Sequence, residues 1–571
     1  MFNHSAKKRE SSEAKFTEIS SHSTPPLRPI DGDKLKRGKL YRLFSSQAKT
    51  ITFAATLVGI SALVSGLLGL FRDRLLASYF GAGSDLDIYF AAFRIPDFIY
   101  GILIMGGISA VFLPVFAEYF QRNKEEAWQF TSNLLNVFLI LLIFFCGLLA
   151  IFTPWLIRFI TPGFAPEEKS LAISLTRIMF LSPIFFALSS VFSGVLHYFN
   201  RFLAYSLAPI LYNLGIILGI VFFVPIFGLP GLAYGVVLGA FFHWAIQIPA
   251  AKSSGFKYRP VFDLKFPGLI KVFKLMVPRT IGAAAYHLNL IVITAIASTL
   301  SVGSIAIFNL ADHLQHFPVA LIGASFAIAA FPTLSRTWLS DFKEEFLGSF
   351  SSTFRQILFL IIPISVLIFL LRIPIVRFVL GAGEFDELAV QLTAASLGLF
   401  CLGIFAFSVI PFLARVFYSF QDTKTPTLIG ISSMVLNIIL AFFLVWFLSF
   451  PNFFSEFMIN ILRLKSIGDI TVIGLPLALS LAGIFQFSLL LSFLKKERGE
   501  IGSKEIWQSL WKILLASFFM TLSVCLTLQV VSGLLMQIIF GATVGLLSYL
   551  LLTILLKSPE LKIIKESIFR R

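Results

Sequence analysis

Charge is what this sequence has least of. Lys, Arg, Asp and Glu together make up 13% of 571 residues, about half the density of a soluble globular chain. With 66 Phe and 57% hydrophobic residues, that scarcity excludes a string of soluble enzyme domains. It also excludes disorder of the chain as a whole, which goes with few aromatics and dense charge. Cysteine is nearly missing. Cys146, Cys401 and Cys525 are the only three, each inside an apolar run, and they form neither a disulfide framework nor a metal spacing. No GxxxxGK[ST] run is there to cradle a nucleotide phosphate, no HExxH pair to hold zinc and no nucleophile elbow. The expectation is a protein that is not an enzyme, with no catalytic residue, no metal and no cofactor.

What is present is apolar length. Fourteen runs of 18 or more residues lie near 51–79, 87–118, 129–156, 170–197, 203–225, 229–251, 276–300, 304–334, 350–371, 389–414, 425–448, 470–494, 511–532 and 535–556. About 20 apolar residues of helix cross a bilayer. Lipid satisfies no backbone polar group, and long runs without two-residue alternation select helices over a barrel. The fold expected is an all-α polytopic membrane protein. Placing the N-terminus in the cytoplasm puts 34 Lys and Arg on cytoplasmic segments and 6 on the opposite loops. An excess of that size follows the positive-inside rule. The net charge of +16 is then a signal of topology, not of nucleic-acid binding. Residues 1–49 read as a basic, disordered cytoplasmic tail, and both termini are expected to be cytoplasmic.

The chain also repeats itself at an offset of about 220 residues. Ala77-Ser78 followed by Gly83-Ser84 returns as Ala297-Ser298 followed by Gly303-Ser304. Pro96 and Gly101 return as Pro318 and Gly323, and Phe112-Leu113-Pro114 loosely as Ala330-Phe331-Pro332. Tyr198-Phe199-Asn200 with Asn213 matches Ser419-Phe420-Gln421 with Asn437. Six spans separate the copies, so the repeats share one orientation. Parallel repeats enclosing a central site are a transporter plan. The division expected is an N-lobe of six helices over 50–252, a C-lobe of six over 253–500, and two further helices with a basic tail over 501–571.

Charges within spans are costly and usually line a cavity. Here they gather in four spans: Arg72, Asp73 and Arg74 in the first, Asp87, Arg94 and Asp97 in the second, Arg279 and His287 in the seventh, Asp312, His313 and His316 in the eighth. Asp87 and Arg94 are seven apart and share a helix face, as do Asp312 and His316, four apart. Arginine suits phosphate because its planar fork donates two parallel hydrogen bonds. The competing reading makes Arg72–Asp73 and Asp312–His316 structural ion pairs and leaves Arg74, Asp87 and Arg94 near a membrane face.

Several segments resemble the MurJ (MviN) family. They are Leu70-Phe71-Arg72-Asp73, Phe80-Gly81-Ala82-Gly83 with Asp87, Pro114-Val115-Phe116-Ala117-Glu118-Tyr119, Ala208-Pro209, Phe317-Pro318, Phe331-Pro332-Thr333-Leu334-Ser335 and Phe417 through Pro426. The resemblance implies fourteen helices, the multidrug/oligosaccharidyl-lipid/polysaccharide exporter fold and flipping of lipid II across the bacterial inner membrane. Three family arginines are replaced, by Gly66, Tyr100 and His313, and Arg279 is the candidate to restore lost charge. The substrate-binding set expected is Arg72, Asp73, Asp87, Arg94, Asp97, Arg279, Asp312, His313 and His316. Partners implied are an undecaprenyl-pyrophosphate-linked glycan, membrane lipids and other cell-wall synthesis proteins, with an ion gradient or the membrane potential as drive. Two alternatives stay open. One is an exporter of another lipid-linked glycan or of drugs or cations on the same fold. The other is a lipid-bound scaffold recruiting partners through its N-terminal tail.

Overall fold

A computed structural model describes residues 51–563 except 106, 107, 340–342, 466, 500 and 501. The basic N-terminal tail and the last eight residues lie outside the described residues. So do a few side chains, that of Arg279 among them. Every expected apolar run falls in a helix or a pair of consecutive helices. The first lobe's worth are α1 (Ile51–Phe80), α2 (Ser84–Met105), α3 (Ile108–Arg122), α4 (Lys124–Ile160), α5 (Pro166–Met179), α6 (Leu181–Tyr198), α7 (Phe202–Leu218) and α8 (Pro230–Ala245). The next are α9 (Pro267–Ala297), α10 (Ser304–Pro318), α11 (Ser325–Leu339), α12 (Lys343–Leu370), α13 (Arg372–Val379), α14 (Glu387–Cys401), α15 (Ile404–Ser419), α16 (Lys424–Leu448) and α17 (Gly474–Arg498). The last are α18 (Ser503–Val530) and α19 (Leu534–Leu555).

Among the described residues, eleven helices are long and apolar enough to cross a membrane, or twelve if the bent pair α14–α15 counts as one. The expected fourteen is therefore not reached on length and apolarity alone. Both remaining expected spans, the second and the seventh, run through residues or side chains outside the described ones, within 104–107 and 278–283. The second and seventh expected spans carry the charges at issue. Helix α2 holds Asp85, Asp87, Arg94 and Asp97, and α9 runs unbroken over 31 residues, of which Ala284–Ala297 is the apolar stretch among the described side chains.

The sequence repeat is written into the backbone. Asn200 and Gln421, matched in the two copies, both take left-handed φ, +54° and +63°. That conformation is uncommon for residues with a side chain. Asn213 on α7 donates to Ser65 on α1, and its match Asn437 on α16 donates to Asn289 on α9 at 2.8 Å. Ser84 and Ser304, also matched, each open a helix. The matched prolines behave differently. Pro318 is followed by a widened helical turn over Val319–Ala324, whereas α2 runs past Pro96 to Met105.

Within the first six spans, α7 and α8 touch backbone to backbone. A Cβ on Gly219 would lie 2.4 Å from the Cα of Gly235, and one on Gly215 2.3 Å from the Cα of Gly239. Small residues one turn apart allow such close approach where lipid supplies no hydrophobic drive between helices.

Among the described residues, three apolar clusters form the interior. One joins the two expected lobes, running from Leu76–Ile95 and Leu175–Val236 to Ile293–Leu314 and Val376–Ala478. The other two are separate. One lies in α3, α4, α6 and the start of α9, the other in α11, α12, α15, α18 and their neighbours. The molecule is thus welded at the end where α1 meets α2 and α9 meets α10, and divided at the other.

Candidate functional site

The charged residues of α1, α2, α9 and α10 lie along this weld. Arg72 sits two turns from the end of α1, with its guanidinium turned inward. Its Nε and Nη2 donate to Asp73 Oδ1 at 3.0 and 2.8 Å, and its Nη1 donates to Asn213 Oδ1 at 3.1 Å. Asp73 is buried. Its other oxygen meets His313 Nδ1 on α10 at 2.9 Å. Every nitrogen of the Arg72 fork is therefore occupied, and Asp73 ties α1 to α10. Arg74 reaches across as well, donating to the carbonyls of Phe378 and Val379 on α13.

Asp87 and Arg94 do share a face of α2, and it is turned toward α9 and α10. Asp87 is buried and accepts hydrogen bonds from the backbone N–H groups of Gly303 and Ala306, both at 2.7 Å. The first turn of a helix leaves N–H donors without partners. A carboxylate from another helix takes two of them here. Gly303, with φ +90° and its Cα facing the carbonyl of Ala82, makes room for the approach. Arg94 is also buried. Its Nε donates to Thr294 Oγ1 at 2.7 Å and its Nη2 to Asn309 Oδ1. Both acceptors are neutral. The carboxylates of Asp97 and Asp312 act on Arg94 only at range, so its positive charge is the less neutralised of the two inward-facing arginines.

Asp97 lies one turn further along α2, with His287 Nδ1 of α9 at 3.6 Å. The His287 ring occupies the place where any side chain at Gly101 would stand. The Asp312–His316 pair is not made. Asp312 accepts from Gln315 Nε2 at 2.8 Å, and His316 is exposed. A shared face permits a pair but does not compel it, and a neighbouring amide is the better donor here. His313 and His316 consequently do not converge on a common ligand. At Gly66, where the resemblance implies an arginine, the ring of Phe317 lies against the glycine.

Some of the seam was not singled out from sequence. Thr294 and Asn309 are the acceptors for Arg94, and uncharged polar residues in helices give no signal of their own. Asn213 stood out only as half of a repeat, and its job is to hold Arg72. Arg279 lies on α9, with its side chain outside the described residues.

A family model described as lipid II flippase MurJ matches residues 76–555. A "Probable lipid II flippase MurJ" of Buchnera aphidicola subsp. Schizaphis graminum is 33% identical over 395 residues, 68% of this chain and 77% of that one. The "Lipid II flippase MurJ" of Burkholderia cenocepacia is 30% identical over 387 residues, 66% of this chain and 74% of its own. Among solved structures, one of "Lipid II flippase MurJ, inward closed conformation" aligns with TM-score 0.72 and 26% identity, covering 88% of this chain and 99% of that one. An inward-facing multidrug resistance transporter of the MATE family aligns with TM-score 0.61 at 15% identity, covering 77% of this chain and 100% of that one. At that identity the likeness is one of fold.

Proposed function

The chain belongs to the lipid II flippase MurJ family, and on that premise we propose that it carries lipid II across the bacterial inner membrane by alternating access. It is a multi-pass membrane protein of a transporter family, and the lipid-linked head group is its cargo. Arg94 is the observation that carries the proposal. A buried guanidinium held, among the described residues, by neutral oxygens gains by exchanging them for phosphate oxygens, because bonds to ionised acceptors are roughly twice as strong. Arg72 assists once Asp73 lets go. The basic loops support a cytoplasmic position for the divided end, where the head group enters. The welded end then faces outward, and it opens when the bonds from Asp73, Asp87 and Arg94 to α9 and α10 are broken. An ion gradient or the membrane potential drives the cycle. The flipped precursor passes to other cell-wall synthesis proteins.

The test is binding to the purified chain in nanodiscs. Undecaprenyl-pyrophosphate-linked glycopeptide and the same lipid without its pyrophosphate are titrated against wild type and Arg94→Gln. A hydrogen bond to a charged group contributes about 1.5–3 kcal/mol. Wild type is expected to prefer the pyrophosphate by about tenfold or more, and Arg94→Gln to lose that preference. Equal affinity of wild type for both lipids overturns the assignment.

A further inference from the structure

Beside the seam, the first six spans line a partly open pocket of about 160 Å³ that phosphate binding does not use. Four of its walls are aromatic rings: Phe93, Tyr100, Phe186 and Tyr212. Three of them form a continuous surface, since Tyr100 and Tyr212 pack on Phe186 with centroids 4.6 and 5.1 Å away. His243 completes it, 5.1 Å from the same ring. Its orientation is fixed from behind by Ser189 Oγ, 2.7 Å from Nδ1. One acid opens into this space, Asp97. Its side chain keeps 32% of its exposure, and His287 Nδ1 stands at 3.6 Å, beyond hydrogen-bonding distance. Arg94, one turn away, acts on it only at range, its fork donating to Thr294 and Asn309.

A carboxylate facing a small, mostly apolar space within a membrane protein is expensive unless a cation joins it. The walls specify which cation. Aromatic faces attract organic ammonium groups through their quadrupole, whereas a hard metal ion seeks a shell of six or more oxygens. The size is near that of an apolar cavity of about 150 Å³ that admits benzene, so an ammonium on a short carbon chain fits. We propose that the Asp97 cavity binds a primary ammonium group, with the carboxylate as its counter-ion and the rings of Tyr100, Phe186 and Tyr212 around its methylenes. The assignment rests on and deepens the flippase reading. In a lipid-linked glycopeptide the ammonium is an amine of the peptide, held beside a pyrophosphate on Arg94. A free amine from solution has the same chemistry.

Two arms of one experiment separate these sources. The full chain in nanodiscs is titrated with n-butylammonium by saturation-transfer NMR, with sodium as competitor. Wild type is expected to bind saturably, Asp97→Asn about tenfold or more weaker, and Tyr212→Leu, which keeps the charge, severalfold weaker. Asp97→Glu restores binding, and unchanged melting temperatures show that the variants fold. Equal binding by wild type and Asp97→Asn overturns the proposal, as does displacement by an equal concentration of sodium. In the second arm the lipid-linked glycopeptide is presented with its peptide amine free or acetylated. A preference of about tenfold for the free amine, lost in Asp97→Asn, assigns the ammonium to the cargo. No preference, alongside retained n-butylammonium binding, assigns it to a free amine. Amine binding needs no flipping. A chain that binds n-butylammonium but no glycopeptide therefore sinks the flippase reading and leaves the ammonium site standing.

Discussion

Replacing Asp87 by Ala should unlock the welded end. The carboxylate accepts two backbone hydrogen bonds of 2.7 Å from the start of α10, and it is buried, so water does not replace it while the end stays shut. Each such bond contributes roughly 1–2 kcal/mol net, and losing a helix cap alone costs about 1 kcal/mol. The combined loss is about 2–4 kcal/mol. It falls on the closed state, because the bonds cross from α2 to α10 and exist only while those helices touch. At about 1.4 kcal/mol per tenfold, the open population should rise roughly 30-fold or more. Pulsed electron–electron resonance between spin labels at Tyr79 and Val302, both exposed beside this end, reads the change directly, in a background with Cys525 and the buried Cys146 and Cys401 replaced. Wild type is expected to give one dominant short distance and Asp87→Ala a second, longer one. An unchanged distribution in a folded Asp87→Ala protein would mean that the cap does not hold the end shut.

Two further outcomes follow from packing. Gly235→Leu places a side chain where the Gly219 backbone stands. Overpacking of this kind costs about 1–3 kcal/mol or more, so the melting temperature of the detergent-solubilised protein should fall, with no change in a Gly59→Leu control at an open position. Glu560, fully buried, accepts from Arg355 Nη1 and Ser509 Oγ, both at 2.9 Å, and from Ser558 Oγ. It pins the segment after α19 to α12 and α18. Removing one partner of a buried pair costs roughly 3–5 kcal/mol, here toward the lower figure because Arg355 keeps some contact with water. Limited proteolysis should therefore cut Glu560→Ala after residue 555 faster than wild type, while Arg355→Met with Glu560→Leu regains resistance.

The parts of this architecture legible in sequence are those governed by solvent. Apolar length marked the long helical runs but not the short helices Arg372–Val379 and Phe453–Leu462, and charged residues in costly places marked α1, α2, α9 and α10 as the seam. The repeat was legible because both copies need the same backbone, as Asn200 and Gln421 show with their shared left-handed φ. What sequence could not supply is partnership through space. Asp87 was grouped with cargo-binding acids, yet its oxygens are spent on the N–H groups of Gly303 and Ala306. Those donors are backbone and carry no residue signature. Arg72 and Arg94 look alike in sequence and differ only in what accepts from them, a carboxylate for one and neutral oxygens for the other. The pairing of Asp312 with His316 followed from spacing, and Gln315 displaced it.

The central claim is that this chain moves lipid II and needs the Arg94 guanidinium to do so. Complementation tests it most directly: bacteria depleted of their own lipid II flippase receive wild type, Arg94→Lys or Arg94→Ala at matched membrane levels. Wild type should restore growth and outward lipid II, Arg94→Lys partly and Arg94→Ala not at all. Full rescue by Arg94→Ala, or none by a correctly inserted wild type, would contradict it.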